Sequence, residues 1–362
     1  MNDLHKIHGD RFSSLMQSHN IVCFGAGRAL QNFCVIMKDT EFLHCIDYVV
    51  DNAESKWGEY ISLTNDVKVP ICSPEYMRTN IKKDNTIILI TCKQQEAIRS
   101  QLAKYDELKA IEIFDFEPIK NEYIIQRARN MKLPASLRRT QVPVIPKVIH
   151  YCWFGHNPLP DRYKEWMKSW KKYCPDYEIV EWNESNYDVT KHPYMRAAYD
   201  AKKWGFVSDY ARLDIIYENG GIYLDTDVEL VKNLDELLYQ DGFAGVDSSG
   251  RLSTGLGFGA QKGSRLIKDW RDDYSNNEFV DFKTKEERWA KNIKTTPDIQ
   301  TSYMERHGFK RNAFLYQIVD GLTIYPIPVL CGQVLGTAGN ELVITDYTYS
   351  IHHYDGSWMP KK

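Results

Sequence analysis

The strongest constraint on the fold is a set of short apolar runs of strand length, separated by helical stretches. Ile21-Val22-Cys23-Phe24 runs into Gly25-Ala26-Gly27, and Tyr48-Val49-Val50 ends at Asp51-Asn52. Thr86-Ile87-Ile88-Leu89-Ile90-Thr91 and Ala110-Ile111-Glu112-Ile113-Phe114 come next. Such runs, bounded by turn residues, read as strands buried on both faces. Helical stretches such as Gln94 to Lys104 lie between them. The alternation predicts an α/β fold with a parallel sheet covered by helices.

The chain has 362 residues, enough for two domains. A basic stretch holding Arg127, Arg129, Lys132, Arg138 and Arg139 contains Pro134, and Pro143 and Pro146 bracket Val144-Ile145 just beyond it. It reads as a solvated linker, with a membrane-surface role as the alternative. The expected division is a first domain over 1–118, a linker over 119–143 and a second domain over 144–362.

A net charge of −3 with no dominant basic block argues against a nucleic-acid partner. No stretch reaches the roughly 18–20 apolar residues of a membrane helix, and Met1 to Asp10 is too polar for a signal peptide. The expected compartment is the cytoplasm, including the inner face of its membrane. The 8 cysteines form no C-x-x-C pair, so buried thiols are expected rather than a zinc site.

The second domain opens with Lys147-Val148-Ile149-His150-Tyr151-Cys152, a strand leading into Trp153-Phe154-Gly155. Tyr163, Trp166, Met167, Trp170 and Tyr173 recur at helical spacing, a core-facing stripe. An amphipathic helix is expected over Val207 to Asn219, stopped by Gly220-Gly221. Ile222-Tyr223-Leu224 then forms a short buried strand that delivers Asp225-Thr226-Asp227 at its carboxyl end, where ligands sit in α/β sheets. Carboxylates two residues apart in extended chain share a face. They can meet one hard divalent cation, Mg²⁺ or Mn²⁺. Beside a diphosphate such a cation balances the charge and stabilises the leaving group. Asp209 and Arg212, three residues apart, share one face of the preceding helix.

Phe206-Val207-Ser208-Asp209-Tyr210-Ala211-Arg212 through Gly220-Gly221-Ile222-Tyr223-Leu224-Asp225-Thr226-Asp227 resembles the sugar-binding region of glycosyltransferase family 32. That family includes capsular-polysaccharide transferases and mannosyltransferases. The likeness extends to Ile145-Pro146-Lys147-Val148-Ile149-His150-Tyr151-Cys152-Trp153-Phe154-Gly155, to Ser169-Trp170 ahead of Pro175, and to Ile351-His352-His353-Tyr354-Asp355-Gly356-Ser357-Trp358. It implies a GT-A-type nucleotide-diphospho-sugar transferase domain with a nucleotide-sugar donor, UDP-galactose or UDP-glucose foremost. It also implies a saccharide or lipid-linked saccharide acceptor and transfer with retention of configuration.

By that resemblance Trp153 stacks on the donor base, near the Ile149 backbone. Asp209 and Arg212 hold the donor sugar or phosphate. Asp225 is shared between the sugar nucleotide and the metal, and Asp227 ligates the metal directly. His353-Tyr354-Asp355-Gly356 resembles a histidine ligand element of family 8, which favours His353 over His352 as the third ligand. Ser357 and Trp358 then reach the diphosphate. A Gly-Pro element common in relatives is absent from Thr295-Thr296-Pro297-Asp298-Ile299-Gln300-Thr301. The glycine-dense run Ser253 to Gly259 reads as a pocket wall or as a turn.

The first domain resembles a Rossmann-like domain, although Leu30 stands where the third glycine of G-x-G-x-x-G belongs and Asp51 closes the second strand. The expected whole is a transferase domain preceded by this smaller parallel-sheet domain, serving surface-polysaccharide synthesis. An NAD-dependent oxidoreductase and a catalytically silent assembly scaffold are the alternatives.

Overall fold

Thr86–Ile90 is buried at every position, as a parallel strand covered on both faces must be. The computed structural model describes residues 11–284, 287, 288, 291, 293–334 and 340–356. It divides into two compact units, Met1–Arg127 with Val334–Glu341, and Ala128–Gln333 with Leu342–Lys362. Both are mixed α/β.

In the first unit β1 (Asn20–Phe24), α1 (Arg28–Met37), β2 (Ile46–Val50), β3 (Tyr60–Ser62), β4 (Lys68–Cys72), α2 (Pro74–Asn80), β5 (Thr86–Ile90), α3 (Gln95–Leu102), β6 (Ile113–Asp115) and α4 (Phe116–Arg129) follow in order. The sheet runs β3-β4-β2-β1-β5-β6. Five of these strands are parallel, and β3 closes one edge antiparallel to β4. The order reverses beside β1, so its carboxyl end is a switch point. Val22, Phe24, Val50, Ile88 and Ile90 pack with Ile98 and Leu102 in the core. Ser73 caps α2 by accepting the Tyr76 N–H at 3.0 Å, and Pro74 opens the helix.

The expected linker is largely structured. Residues 119–129 continue α4, and Ile119, Ile124, Ile125 and Ala128 are buried. Further on, the Arg139 and Thr140 N–H groups donate to the Tyr239 carbonyl, and those of Val144 and Ile145 to the Leu238 carbonyl. The Arg138 guanidinium lies 4.1 Å from the Tyr239 ring centroid. Leu133, Leu137 and Ile145, interleaved with the basic residues, are buried. These apolar positions pack where a solvated linker was expected.

The second unit contains β7 (Val148–Cys152), α5 (Asp161–Tyr173), β8 (Glu178–Trp182), α6 (Pro193–Asp200), α7 (Trp204–Asn219), β9 (Gly221–Tyr223) and β10 (Val228–Leu230). There follow β11 (Gly242–Val246), β12 (Leu252–Ala260), α8 (Arg265–Asp272), α9 (Thr296–Arg306), β13 (Gln317–Val319), β14 (Leu322–Tyr325) and β15 (Ser350–His352). Seven strands form one mixed sheet, β13-β14-β11-β12-β9-β7-β8, and β10 pairs separately with β15, antiparallel.

Helix α7 is buried continuously from Phe206 to Ile216, not amphipathic as its sequence suggested. Its charges survive burial because each finds a partner. Asp214 accepts from Lys191, Tyr187 and Arg271, and Asp209 pairs with Arg212. The helix ends at Gly220, whose φ of +71° suits only glycine. Gly221, at φ +100°, passes so close to β7 that a Cβ there would press on the Val148 carbonyl and the His150 ring. Buried His150 lies 2.9 Å through Nε2 from the Gly220 carbonyl and accepts the Trp182 indole N–H on Nδ1 at 3.0 Å. Helix end, glycine turn and sheet are thereby fixed together just before the acidic motif.

Candidate active site

The acidic motif does not continue its strand. β9 stops at Tyr223, and Asp225-Thr226-Asp227 forms a turn into β10, with the Val228 N–H donating to the Asp225 carbonyl at 3.1 Å. The carboxylates converge by turning, where the sequence had suggested an extended pair sharing a face. β10 then pairs with β15 in the register Val228↔His352. That register delivers His352 to the motif. Its Nε2 lies 3.3 Å from Asp227 Oδ1 and 4.0 Å from Asp225 Oδ2. One ligand atom from each of these three residues lies within 4.8 Å of the other two.

His353, the histidine favoured from the sequence, is placed elsewhere. Its ring stacks on Trp166 at 4.1 Å and 8°, and its Nε2 lies 2.9 Å from Glu229 Oε2. Successive residues near a strand end point apart. The pairing with β10 brings His352 to the carboxylates, and His353, favoured from the sequence, lies against Trp166 and Glu229 instead.

Asp225, Asp227 and His352 offer two hard oxygens and one imidazole nitrogen, a donor set suited to Mn²⁺ or Mg²⁺. The Tyr354 N–H points to His352 Nδ1 at 3.2 Å. A ring ligated through Nε2 carries its proton on Nδ1 and gives that contact up. Neighbouring charges act on these groups as well. Burial pushes the Asp225 carboxyl up, but Arg212, His352 and Tyr223 outweigh it and hold it below its ordinary value. Burial likewise opposes a charge on His352, but Asp227 and Asp225 raise it.

Arg212 is the hub behind the turn. Its guanidinium lies 3.1 Å from Asp209 and 3.4 Å from Asp225. It donates to the Thr254 hydroxyl at 3.3 Å and to the Ser208 carbonyl at 3.0 Å. Asp209 also accepts from the Thr296 hydroxyl. Burial pushes the Asp209 carboxyl up to about 6, against the pull of Arg212 and Thr296. Gln300 holds Thr254, donating to its hydroxyl at 2.8 Å and accepting its N–H at 3.1 Å.

Thr296 and Gln300 were missed in the sequence. Thr295 and Asp298 form a capping box with Pro297 in the first turn, a readable helix start. Nothing in that signal points to Asp209 on another helix. The glycine-dense run is strand β12, not a turn, and Gly255 lies where any Cβ would overlap Asp225 Oδ2.

Trp153 follows the carboxyl end of β7, half-buried, with its indole N–H donated to the Asn157 carbonyl at 2.6 Å. Its ring meets Tyr163 edge-on at 5.7 Å, and Tyr163 stacks on Trp166. A ladder of rings thus links Trp153 to His353. Ile149 is fully buried within β7, aligned with Ile179 and Ile222. Its side chain belongs to the core. Ser357 and Trp358 lie outside the described residues.

In the first unit, Gly25-Ala26-Gly27 sits at the switch point beside Asp51. The Asp51 carboxylate accepts the Ala26 N–H at 2.8 Å, the Ala53 N–H at 2.9 Å and Lys56 at 2.9 Å. It ties the glycine turn to the end of β2.

Residues 160–244 match the family model described as "Glycosyltransferase sugar-binding region containing DXD motif". The matched segment runs from α5 to the start of β11 and includes Asp209, Arg212, Asp225 and Asp227. Over that segment the second unit is similar to a glycosyltransferase sugar-binding region, which supports a transferase.

Inositol phosphoceramide mannosyltransferase 3 of Schizosaccharomyces pombe is 33% identical over 131 residues, 35% of this chain and 36% of that protein. Mannosyltransferase 2 of the same set is 33% identical over 101 residues, 27% of this chain and 29% of that protein. Subversion of eukaryotic traffic protein A of Legionella pneumophila is 26% identical over 126 residues, 27% of this chain and 19% of that protein. The chain spans little more than a third of the length of these relatives at most. Among solved structures, PaToxG Glycosyltransferase aligns with a TM-score of 0.33 and 18% identity, covering 52% of this chain and 76% of that one.

Proposed function

We propose that the second unit transfers a hexosyl group from a nucleotide-sugar to a saccharide acceptor, with a divalent cation at Asp225, Asp227 and His352. The observation that carries this reading is the convergence of those three ligand atoms beside the buried Asp209–Arg212 pair. Mn²⁺ or Mg²⁺ held there would neutralise the donor diphosphate and stabilise it as it leaves. Arg212 sets the Asp225 carboxylate toward the site and keeps its charge. Asp209, fixed by Arg212 and Thr296, offers a carboxylate for sugar hydroxyls. Trp153, at the end of β7, offers a face for the donor base.

In this reading the second unit is a GT-A-type domain and the first a Rossmann-like one. The donor panel is UDP-galactose, UDP-glucose and GDP-mannose. The names of the Schizosaccharomyces relatives move the mannosyl donor to the front. Retention of configuration and a role in surface-polysaccharide synthesis, at the cytoplasmic face of a membrane, complete the proposal. Among the described residues no helix is long and apolar enough to cross a membrane.

The deciding experiment is a thermal-shift and donor-hydrolysis screen of the three nucleotide-sugars, with and without Mn²⁺. A productive donor raises the unfolding midpoint by binding the native state, more strongly with Mn²⁺ present. Neither shift nor hydrolysis with any donor would sink the transferase reading. Equal activity in a chelator would sink the metal.

A further inference from the structure

After β15 the chain crosses over the acidic turn as a short strap, His353, Tyr354 and Asp355. Two of its backbone N–H groups are spent on one residue. His353 donates to the Asp227 carbonyl at 2.9 Å, and Asp355 donates to Asp227 Oδ2 at 3.0 Å. The second bond matters for aim. With Oδ2 engaged by the strap, Oδ1 is the oxygen turned toward His352 Nε2, 3.3 Å away.

The strap is held from its other side by α5. The Asp355 carboxylate accepts from the Arg162 guanidinium and from the Tyr163 hydroxyl, both in the first turn of that helix. One turn on, Trp166 stacks on His353. Helix α5 is itself anchored to β10. The Trp170 indole donates to the Val228 carbonyl at 2.9 Å, and the Ser169 hydroxyl accepts the Leu230 N–H at 2.8 Å. Asp355 therefore joins a rigid helix to the carboxylate of Asp227. Its side chain binds the helix, and its backbone N–H binds that carboxylate.

We propose that Asp355 is a positioning residue, which latches the C-terminal strap to Arg162 and Tyr163 so that Asp227 and His352 present one oxygen and one nitrogen to a divalent cation. The inference rests on the metal reading above, and extends it to a residue that touches neither cation nor donor. Partners that orient a ligand in this way are worth about 10–100-fold in metal affinity.

The test uses the full chain and Mn²⁺ alone, with no donor. Asp355→Ala should weaken Mn²⁺ binding by about 10–100-fold, measured by calorimetry, while the thermal midpoint stays close to that of the wild type. Asp355→Asn keeps an acceptor for the Tyr163 hydroxyl and should recover part of the loss. Arg162→Ala should reproduce part of it, and stands in should Asp355→Ala fail to fold. Without metal, hydrogen–deuterium exchange of residues 350–356 should quicken in Asp355→Ala. Mn²⁺ affinity within about twofold of the wild type would overturn the latch, as would unchanged exchange. If the wild type binds no Mn²⁺ and exchange still quickens, the metal reading falls while the hold of Asp355 on the strap stands. If Asp227→Asn loses Mn²⁺ and Asp355→Ala does not, the metal reading stands and the latch falls.

Discussion

Each unit delivers an aspartate from the end of a buried strand, and the two aspartates have opposite fates. Asp51 closes β2 and spends its oxygens on Ala26, Ala53 and Lys56. Asp225 follows β9 and faces Asp227 and His352 across a gap that fits a cation. The difference lies in what stands behind each carboxylate. Lys56 neutralises Asp51 from the front with a partly exposed chain. Arg212 supports Asp225 from behind with a buried guanidinium that is also bound to Asp209, Thr254 and Ser208. A carboxylate backed from inside keeps an oxygen for a ligand. One closed from outside is a structural tie.

The sharpest break of that comparison is Asp227→Asn. It keeps size and shape but removes one hard anionic ligand. Transfer should fall by about 10³-fold or more, with the circular-dichroism spectrum and thermal midpoint retained. Ample transfer by a folded variant would mean that the acidic turn is no more functional than Asp51.

The two turns should also part on acidification. Burial holds the His150 pKa down at about 4, whereas an unfolded-chain histidine protonates near 6.5. Between those values the unfolded chain binds the extra proton, so stability drops as pH falls through that window. The full loss is roughly 3 kcal/mol, and little of it is felt above pH 6.5. Burial of Asp51 is outweighed by Lys56 and the Ala53 and Ala26 N–H groups, which hold it below its ordinary value of 3.8. Its contribution persists until the pH drops below that value. Acid should therefore loosen the Gly220 turn before the Gly25 turn. Thermal midpoints at pH 7.5 and 4.5 should show a smaller acid loss in His150→Gln than in the wild type. Equal losses would assign the effect to other groups.

Gly255→Ala probes the backing of Asp225 directly. The added methyl overlaps Oδ2 and must displace the carboxylate. A misplacement near 1 Å costs on the order of 100-fold in rate, so kcat should fall by about that factor with little change in the midpoint. A smaller change is expected for the histidines. His352→Ala should weaken Mn²⁺ by about 10–100-fold, and His353→Ala by less, since its ring touches only Trp166 and Glu229 among the contacts described. The reverse ranking would restore His353 as the ligand.

That pair of histidines shows where the sequence was legible and where it was not. The parallel sheet of the first unit was readable because its buried strands are continuous apolar runs. The short edge strand β3 and its partner β4, with Pro70 inside it, carry no such signal and were missed. The place of Asp225 after a short buried strand was readable from Gly220-Gly221 and the apolar residues after it, whereas the turn that brings its carboxylate to Asp227 was not. The choice of His352 was not, because it depends on the register Val228↔His352 across distant segments. Thr296 and Gln300 were hidden for the same reason. Their helix announces itself through Thr295 and Asp298, but the partners of that helix are set by tertiary packing.

The smallest expected effect completes the comparison. Asp51→Asn keeps an acceptor for the Ala26 N–H and loses the charge that meets Lys56. Asp51 is only partly exposed, so its charge-assisted bonds should be worth about 1–2 kcal/mol. The variant should unfold at a slightly lower midpoint and should transfer sugar at the wild-type rate. The outcome to watch for is a fall in kcat without a fall in stability. That result would make the first glycine turn a second working site, and the contrast between the two aspartates would collapse.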